Sequence, residues 1–249
     1  MSEQMQPEQE KSNLERALAG EYKFNFKALF NRSQSLYKAN LMTFLKSTGL
    51  LMLIGVGSTL VLMSVLKVDP SSVESMQSSP AGMLDIIMLI IMSPLLAGFR
   101  MLGVKLTADK PADAAELGKY FSLTLALVTL NLLTSLLIQL GFMLLILPGV
   151  YVYLVTQFAV VLLAERRAGV IQSIILSAKV VNQYLMPFLL LLVLFVLLFT
   201  LVFLTMGLAI LWVGPLYTLV LGQLYNDLFA VQSEEAPATS PSQDSVLDA

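Results

Sequence analysis

The sequence predicts an all-α, polytopic membrane protein, with six transmembrane helices arranged as three hairpins and with cytoplasmic interfacial amphipathic helices. Hydrophobic residues make up 57% of the chain and charged residues only 13%, which is unusual for a soluble protein. Two stretches, 120–164 and 180–226, run for 45 and 47 residues without Asp, Glu, Lys or Arg. As single helices they would measure about 67 to 70 Å, over twice the bilayer's hydrocarbon core, so each must contain two spans.

Composition also excludes several classes of function. The 249 residues carry 15 basic and 17 acidic side chains, a net charge of -2, with no Cys and no His. Without a broadly basic surface, nucleic acid is not an expected partner. Without Cys and His, disulfides, the common zinc sites, thiol nucleophiles and imidazole catalysis are excluded. We predict no catalytic, cofactor-binding or metal-binding residue and no cofactor. Membrane lipids are the predicted partners, and protein partners are left open.

The two ends of the chain are predicted to be tails. Residues 1–23 are rich in Glu, Gln and Ser, and such a segment has too little apolar surface to fold, so we predict a disordered cytoplasmic tail. Residues 231–249 are predicted to be a second disordered tail, which is acidic. Residues 24–230 between them are expected to form one membrane domain. No apolar run follows a basic start within the first 40 residues, so no cleaved signal peptide is predicted.

Two segments, Phe24 to Asn40 and Gly169 to Gln183, place apolar side chains at helical spacing among polar ones. We predict amphipathic helices nearly parallel to the membrane on its cytoplasmic face, because each is too short and too polar to span. In the first segment Phe26, Phe30 and Tyr37 form an aromatic side suited to lipid headgroups. Packing of this side on the protein's own cytosolic loops is an alternative that the sequence leaves open.

The first hairpin is predicted from spans at Ser47 to Leu66 and Gly82 to Phe99, joined by a loop rich in Ser and Pro. The first span carries small residues, which let helices approach closely in a bilayer, so this face is expected to meet another helix. These residues are Gly49, Gly55, Gly57 and Ser58. The second span is expected to end at Phe99, and Arg100 begins a polar loop extending to Lys119.

The second span contains Asp85 near its start. An Asp at the bilayer centre costs roughly 2.5 to 3.5 kcal/mol, but most of this cost disappears near a helix end. Asp85 is therefore interpreted as a carboxylate at the membrane interface, in preference to an ion or proton ligand. An enzymatic site would have to be assembled from Asp85, Asp227, Tyr225 and Asn226, and nothing in the sequence brings these residues together.

The second hairpin occupies Tyr120 to Ala164 and is expected to turn at Gly141 or at Pro148 and Gly149. Proline lacks an amide hydrogen and costs about 3 kcal/mol inside a helix, whereas glycine adopts backbone angles closed to other residues. We therefore predict a break or a sharp kink between Leu145 and Tyr151.

The third hairpin is predicted from spans at Leu185 to Leu204 and Leu208 to Phe229. The chain is expected to turn either at Met206–Gly207 or at Gly214–Pro215, because Gly and Pro interrupt helices. The sequence does not decide between these two positions for the turn.

The basic residues sort to one side of this six-span arrangement. Seven precede the first span, four lie in residues 100–119 and three in residues 166–179, which is 14 of 15, and only Lys67 falls on the opposite side. The positive-inside rule then places both termini in the cytoplasm. A five-span or seven-span arrangement would move at least one basic loop to the other side.

The block from Leu136 to Val150, LLIQLGFMLLILPGV, continues through Phe158 to Ala164 and on to Ile171 and Ser177. In its Gln-x-Gly step, its Pro-Gly pair, its charged stop and the amphipathic helix that follows, it resembles the YciC family of small bacterial inner-membrane proteins. The resemblance implies a six-span inner-membrane protein. It implies no activity and no catalytic residues.

These observations predict an integral inner-membrane protein of unassigned biochemical activity. The favoured interpretation is a non-enzymatic protein involved in membrane or envelope organisation, because interfacial helices are predicted and no catalytic set of residues is found. The alternative is a small-molecule or lipid transporter or channel, suggested by the spans that Pro and Gly interrupt. A polar cavity reaching into the membrane would favour the alternative.

Overall fold

A computed structural model of the chain describes residues 13–68 and 79–229, and every regular element within these ranges is a helix. Five helical stretches there are long and apolar enough to cross a membrane: Leu41–Leu66, Gly82–Thr107, Ala114–Leu144, Ile146–Ala164 and Leu185–Leu204. The predicted class, an all-helical membrane protein with several spans, is confirmed. The α-helices in these ranges are α1 (Asn13–Leu18), α2 (Phe26–Ala39), α3 (Leu41–Leu66), α4 (Ser79–Thr107), α5 (Thr124–Leu144), α6 (Ile146–Thr156), α7 (Ala159–Ala164), α8 (Val170–Asn182), α9 (Leu185–Leu204) and α10 (Ile210–Phe229).

Helix α10 is the centre of the bundle. It covers the sixth predicted span, but polar residues in its last third make it less apolar than the five stretches above. Of its 20 residues, 13 are buried, and they lie all around the helix. A helix buried on all sides belongs to the core of a protein. The neighbours of α10 therefore determine where internal sites can form.

Helices α4 and α10 touch through their backbones. A Cβ atom added to Gly222 would lie 2.7 Å from the carbonyl carbon of Gly103, and one added to Gly103 would lie 2.5 Å from Cγ2 of Thr218. Such closeness is possible only because both positions lack a side chain, and it maximises dispersion contacts where no hydrophobic force drives helices together.

The small residues of the first span play a lesser part than predicted. A Cβ atom added to Gly49 or Gly57 would meet no atom within 4 Å, and one added to Gly55 would lie 3.8 Å from Sδ of Met92. Ser58 lies 3.3 Å from Sδ of Met88. The prediction of a packed face is thus wrong for Gly49 and Gly57, because the helix turns these two positions away from α4.

The turn of the second hairpin lies where the sequence predicts a break. Leu145 is extended, with φ -167° and ψ 163°, and separates α5 from α6. A Cβ atom added to Gly141 would lie 2.8 Å from Cα of Gly149, so both candidate glycines line one close helix contact. Pro148 is the third residue of α6, where its missing N–H removes a donor that would have no partner inside the helix.

The turn of the third hairpin is the first of the two alternatives. Met206 and Gly207 have positive φ angles of 50° and 93°, in the left-handed region that glycine adopts readily. Pro215 lies inside α10 instead. Helix α9 begins and ends at the predicted residues.

The N-terminal segment is more ordered than predicted. Residues 13–18 form α1, Ala17 is buried in the main core, and the amide of Tyr22 donates a hydrogen bond of 3.1 Å to the hydroxyl of Tyr184. The prediction of a disordered tail over residues 1–23 is therefore wrong for residues 13–23. Their few apolar side chains pack against the main core, a contact that the sequence does not reveal. Residues 1–12, 69–78 and 230–249 lie outside the described residues, and so do the predictions of a loop after the first span and of a disordered acidic tail at 231–249.

The first amphipathic segment packs on the protein. In α2, Leu29 is buried and the ring of Phe30 lies 6.1 Å from that of Phe195 in α9. The side-chain amide of Gln223 in α10 donates a 2.6 Å hydrogen bond to the hydroxyl of Ser33. The prediction of a lipid-facing aromatic side is wrong here, because membrane helices, and not cytosolic loops, cover this face.

Candidate functional site

Arg100 lies inside a helix and not in a loop. Helix α4 continues past Phe99 to Thr107, because buried apolar residues such as Leu102 and Val104 maintain the helical pattern beyond the charge. The predicted span ended at Phe99, so Arg100 was not among the predicted site residues. Arg100 precedes the end of α4 by seven residues, which is about 10 Å along the helix axis.

The fourth span is interrupted opposite Arg100. Helix α6 ends at Thr156 and α7 begins at Ala159, although the sequence between them contains neither Pro nor Gly. Arg100 Nη1 donates a hydrogen bond of 3.2 Å to the carbonyl of Gln157, one of the groups that the break frees. The charge therefore has a structural role at the break.

Ser177 of α8 satisfies two further backbone groups at the break. Its hydroxyl donates to the carbonyl of Val155 at 2.6 Å and accepts from the amide of Phe158 at 3.3 Å. A buried backbone group without a partner costs about 1 to 3 kcal/mol. These two contacts explain why a hydroxyl group is useful at this position.

Replacing Ser177 with alanine is expected to lower the free energy of unfolding by roughly 1 to 3 kcal/mol, because two buried backbone groups lose their partner. Ser173 supplies a matched control, since it is equally buried in α8 and makes only a 3.4 Å hydrogen bond to the carbonyl of Ala168. Thermal unfolding of the purified protein in detergent compares the two. Equal melting temperatures for Ser177→Ala and Ser173→Ala would contradict the capping role.

A cavity of 190 Å³ opens between α4, the break and α10, and Arg100 and Gln157 both line it. The side-chain nitrogen of Gln157 is buried and has no hydrogen-bond partner in the described part of the chain. The hydroxyl of Tyr217, which also lines the cavity, lies 3.3 Å from that of Tyr153. Most of the remaining lining is apolar, including Phe99 and Leu221.

A second cavity of 150 Å³ shares Arg100 and Leu96 with the first. Its wall includes Asn131, whose amide donates a 3.0 Å hydrogen bond to the hydroxyl of Ser93. Arg100 therefore borders two cavities, the first toward α10 and the second toward α5 and α7.

The electrostatics of the site are those of an uncompensated cation. Within residues 13–68 and 79–229, the ion pairs involve the carboxylates of Asp109, Glu116 and Glu165, and none of them includes Arg100. The same ranges contain no group of three acidic side chains that could hold a metal ion. With donors at Arg100 and Gln157, the site is suited to an anion or another acceptor-rich group.

Known protein families, characterised proteins and solved structures offer no match to this chain. Its own residues must therefore support any functional argument.

The four polar residues considered for an enzymatic site do not come together. Asp85 is exposed and precedes Arg100 by 15 residues, about 22 Å along α4. The hydroxyl of Tyr225 donates to Glu165 at 2.6 Å. The amide of Asn226 donates to the carbonyl of Val104 at 2.9 Å. Tyr225 and Asn226 thus tie α10 to its neighbours.

Asp227 has a partner of its own in the N-terminal segment. It accepts a hydrogen bond of 2.8 Å from the hydroxyl of Tyr22. Burial raises the pKa of the Tyr22 hydroxyl well above its usual range, and the bond to Asp227 raises it further. The phenol therefore stays protonated and remains the donor, so Asp227 anchors the N-terminal segment to the end of α10.

Proposed function

We propose that this chain is a six-span protein of the bacterial inner membrane, similar to the YciC family, with both termini in the cytoplasm. We propose further that it acts without enzymatic chemistry, on the organisation of membrane lipids or of the envelope. The observation that supports this proposal best is the outer face of α8. Ile171 and Ile175 are 64% and 48% exposed there, beside the exposed Lys179.

Helix α8 has the character of an interfacial helix. Its inner face is formed by Ser173, Ser177 and Val180, which are buried against the bundle. Exposed isoleucines next to a lysine suit the boundary between acyl chains and anionic headgroups. This face supports the part of the proposal that concerns lipids.

Contacts among the basic segments support the proposed topology. Arg32 of α2 donates a 3.1 Å hydrogen bond to the carbonyl of Thr107, at the end of α4. Arg167, in the loop after α7, donates to the carbonyl of Phe229 at the end of α10. Three segments carry 14 of the 15 basic residues. These contacts bring all three to the end of the bundle where α4 and α10 also end. A basic end is expected on the cytoplasmic side.

The topology can be tested with single cysteines, because the natural chain has none. We expect a membrane-impermeant maleimide to label Lys67→Cys in spheroplasts, and to label Lys110→Cys and Ala168→Cys only after the membrane is permeabilised. The physical reason is the charge asymmetry across the bilayer. Labelling of Lys110→Cys in intact spheroplasts would rule out the six-span arrangement.

A lipid transporter is the second candidate, and the cavity at Arg100 is the observation that favours it. Interrupted spans beside a binding cavity are common in transporters. Lipid scrambling in proteoliposomes distinguishes the two candidates. If the protein only organises lipids, we expect fluorescent lipids to redistribute no faster than in protein-free vesicles, and faster redistribution that Arg100→Gln abolishes would establish transport instead.

A further inference from the structure

We infer that the cavity at Arg100 binds the phosphate group of an anionic membrane lipid. This inference rests on the proposed function and deepens it, because it names the class of lipid and the residues that select it. Arg100 and Gln157 are the groups that would hold the phosphate, and the apolar lining would hold the start of the acyl chains.

The donors of the site exceed the acceptors that the described residues supply. A guanidinium group carries five N–H donors, and within residues 13–68 and 79–229 Arg100 makes one hydrogen bond, from Nη1 to the Gln157 carbonyl. The buried side-chain nitrogen of Gln157 adds donors without a partner. A buried donor such as this nitrogen is nearly always satisfied in folded proteins, whereas Arg100 is half-buried. An oxyanion with several acceptor atoms, such as a phosphate diester, would satisfy both residues at once.

The depth of Arg100 suits a lipid headgroup. Its Cα lies about 10 Å along α4 from Thr107, at the basic end of the helix. The headgroup layer of each leaflet is roughly 5 to 7 Å thick, taken as half the difference between total and hydrocarbon thickness. The guanidinium group contacts the carbonyl of Gln157 inside the bundle, so a lipid phosphate from the nearer leaflet would meet it by entering the cavity.

The walls of the cavity favour a lipid over free phosphate. Leu96 lies on the rim and is exposed, while Phe99, Val161 and Leu221 line the interior. A Cβ atom added to Gly214 would have only Cδ1 of Ile210 within 4 Å, at 4.0 Å. The cavity therefore has free space next to Gly214. An inorganic phosphate would lose its hydration against these apolar walls without compensation. A lipid would place its glycerol and acyl atoms there.

Native mass spectrometry of the delipidated full-length protein can test this inference. We expect one equivalent of phosphatidylglycerol to bind, and Arg100→Gln to weaken this binding at least about tenfold, as the loss of a charge-assisted hydrogen bond implies. Gln157→Leu, which keeps the charge, is expected to weaken it severalfold. Lys38→Gln removes an exposed positive charge from α2 and is the control, for which we expect less than about a twofold change.

Three results would overturn the inference. They are equal affinity of the natural protein and of Arg100→Gln, displacement of the lipid by millimolar inorganic phosphate, and equal binding of zwitterionic phosphatidylethanolamine. Arg100→Lys is a second variant, in case Arg100→Gln does not fold. It keeps the positive charge but loses the planar array of donors, and we expect it to bind the lipid with intermediate affinity. If lipid binding fails while cysteine labelling at Lys67→Cys and Lys110→Cys keeps its expected pattern, this inference is wrong and the proposed topology stands.

Discussion

Replacing Gly222 with valine is expected to leave little folded protein, because it forces the two central helices apart. Even the Cβ atom would lie 2.7 Å from the carbonyl carbon of Gly103 and 2.9 Å from the amide nitrogen of Val104. Both are backbone atoms, which cannot rotate away as a flexible side chain can. Overpacking in a core costs roughly 1 to 3 kcal/mol even where side chains can adjust, so a larger loss is expected here.

We expect Gly222→Val to disrupt further contacts along α10. Separation of α4 and α10 would also stretch the 2.9 Å hydrogen bonds from the Asn226 amide to the carbonyl of Val104 and the hydroxyl of Thr107. It would widen the cavity at Arg100 as well, since Gly222 lines it. We therefore expect the loss of folded protein and the loss of lipid binding to occur together in this variant.

The measurement is the monodisperse fraction and the melting temperature of the protein in detergent. Gly49→Val is the matched control, because a Cβ atom there meets nothing within 4 Å. It places the same residue in another membrane helix, and we expect it to remain folded. A melting temperature for Gly222→Val equal to that of the natural protein would show that α4 and α10 are not in backbone contact.

The second large effect is expected from Glu116→Gln. The Glu116 carboxylate is buried and accepts hydrogen bonds from Lys105 Nζ at 2.7 Å and from Lys119 Nζ. Removing its charge leaves two ammonium groups without their counter-ion. The lysine side chains are 29% and 54% exposed, so both can turn partly to water, and we expect a loss of about 2 kcal/mol instead of the 3 to 5 kcal/mol typical of a fully buried pair.

Asp109→Asn is the control for Glu116→Gln, because it makes the same chemical change in an exposed ion pair. Asp109 lies 3.6 Å from Arg32, and both side chains are exposed. Its positive φ of 55° is tolerated by asparagine. Surface pairs contribute about 0 to 1 kcal/mol. Denaturant unfolding of both variants should therefore separate them clearly, and equal losses would show that Glu116 is not a buried anchor of the loop.

Much of the fold could be predicted from local composition. A 47-residue run without charge exceeds what one span can hold, whatever the rest of the chain does. For this reason Leu185 to Leu204 was predicted at both ends, and the turn at Met206–Gly207 was one of only two possibilities. The break at Leu145 followed from the nearby Pro148 and Gly149, because their effects on the backbone are local.

The candidate site could not be predicted, because it depends on partners far apart in the chain. A charge at the end of an apolar run usually marks the end of a span, and only the tertiary structure shows that Arg100 has a partner inside the bundle, the carbonyl of Gln157, 57 residues away. No Pro or Gly in the sequence predicts the break at Gln157. The backbone carbonyl of Val155 beside this break is bonded by Ser177, which comes from α8. Likewise, the aromatic side of α2 suits lipid and protein equally, and it was the packing of α9 and α10 that decided between them. Hydrophobic periodicity predicts that one face of a helix is removed from water. Whether lipid or protein covers that face depends on how the helices pack together.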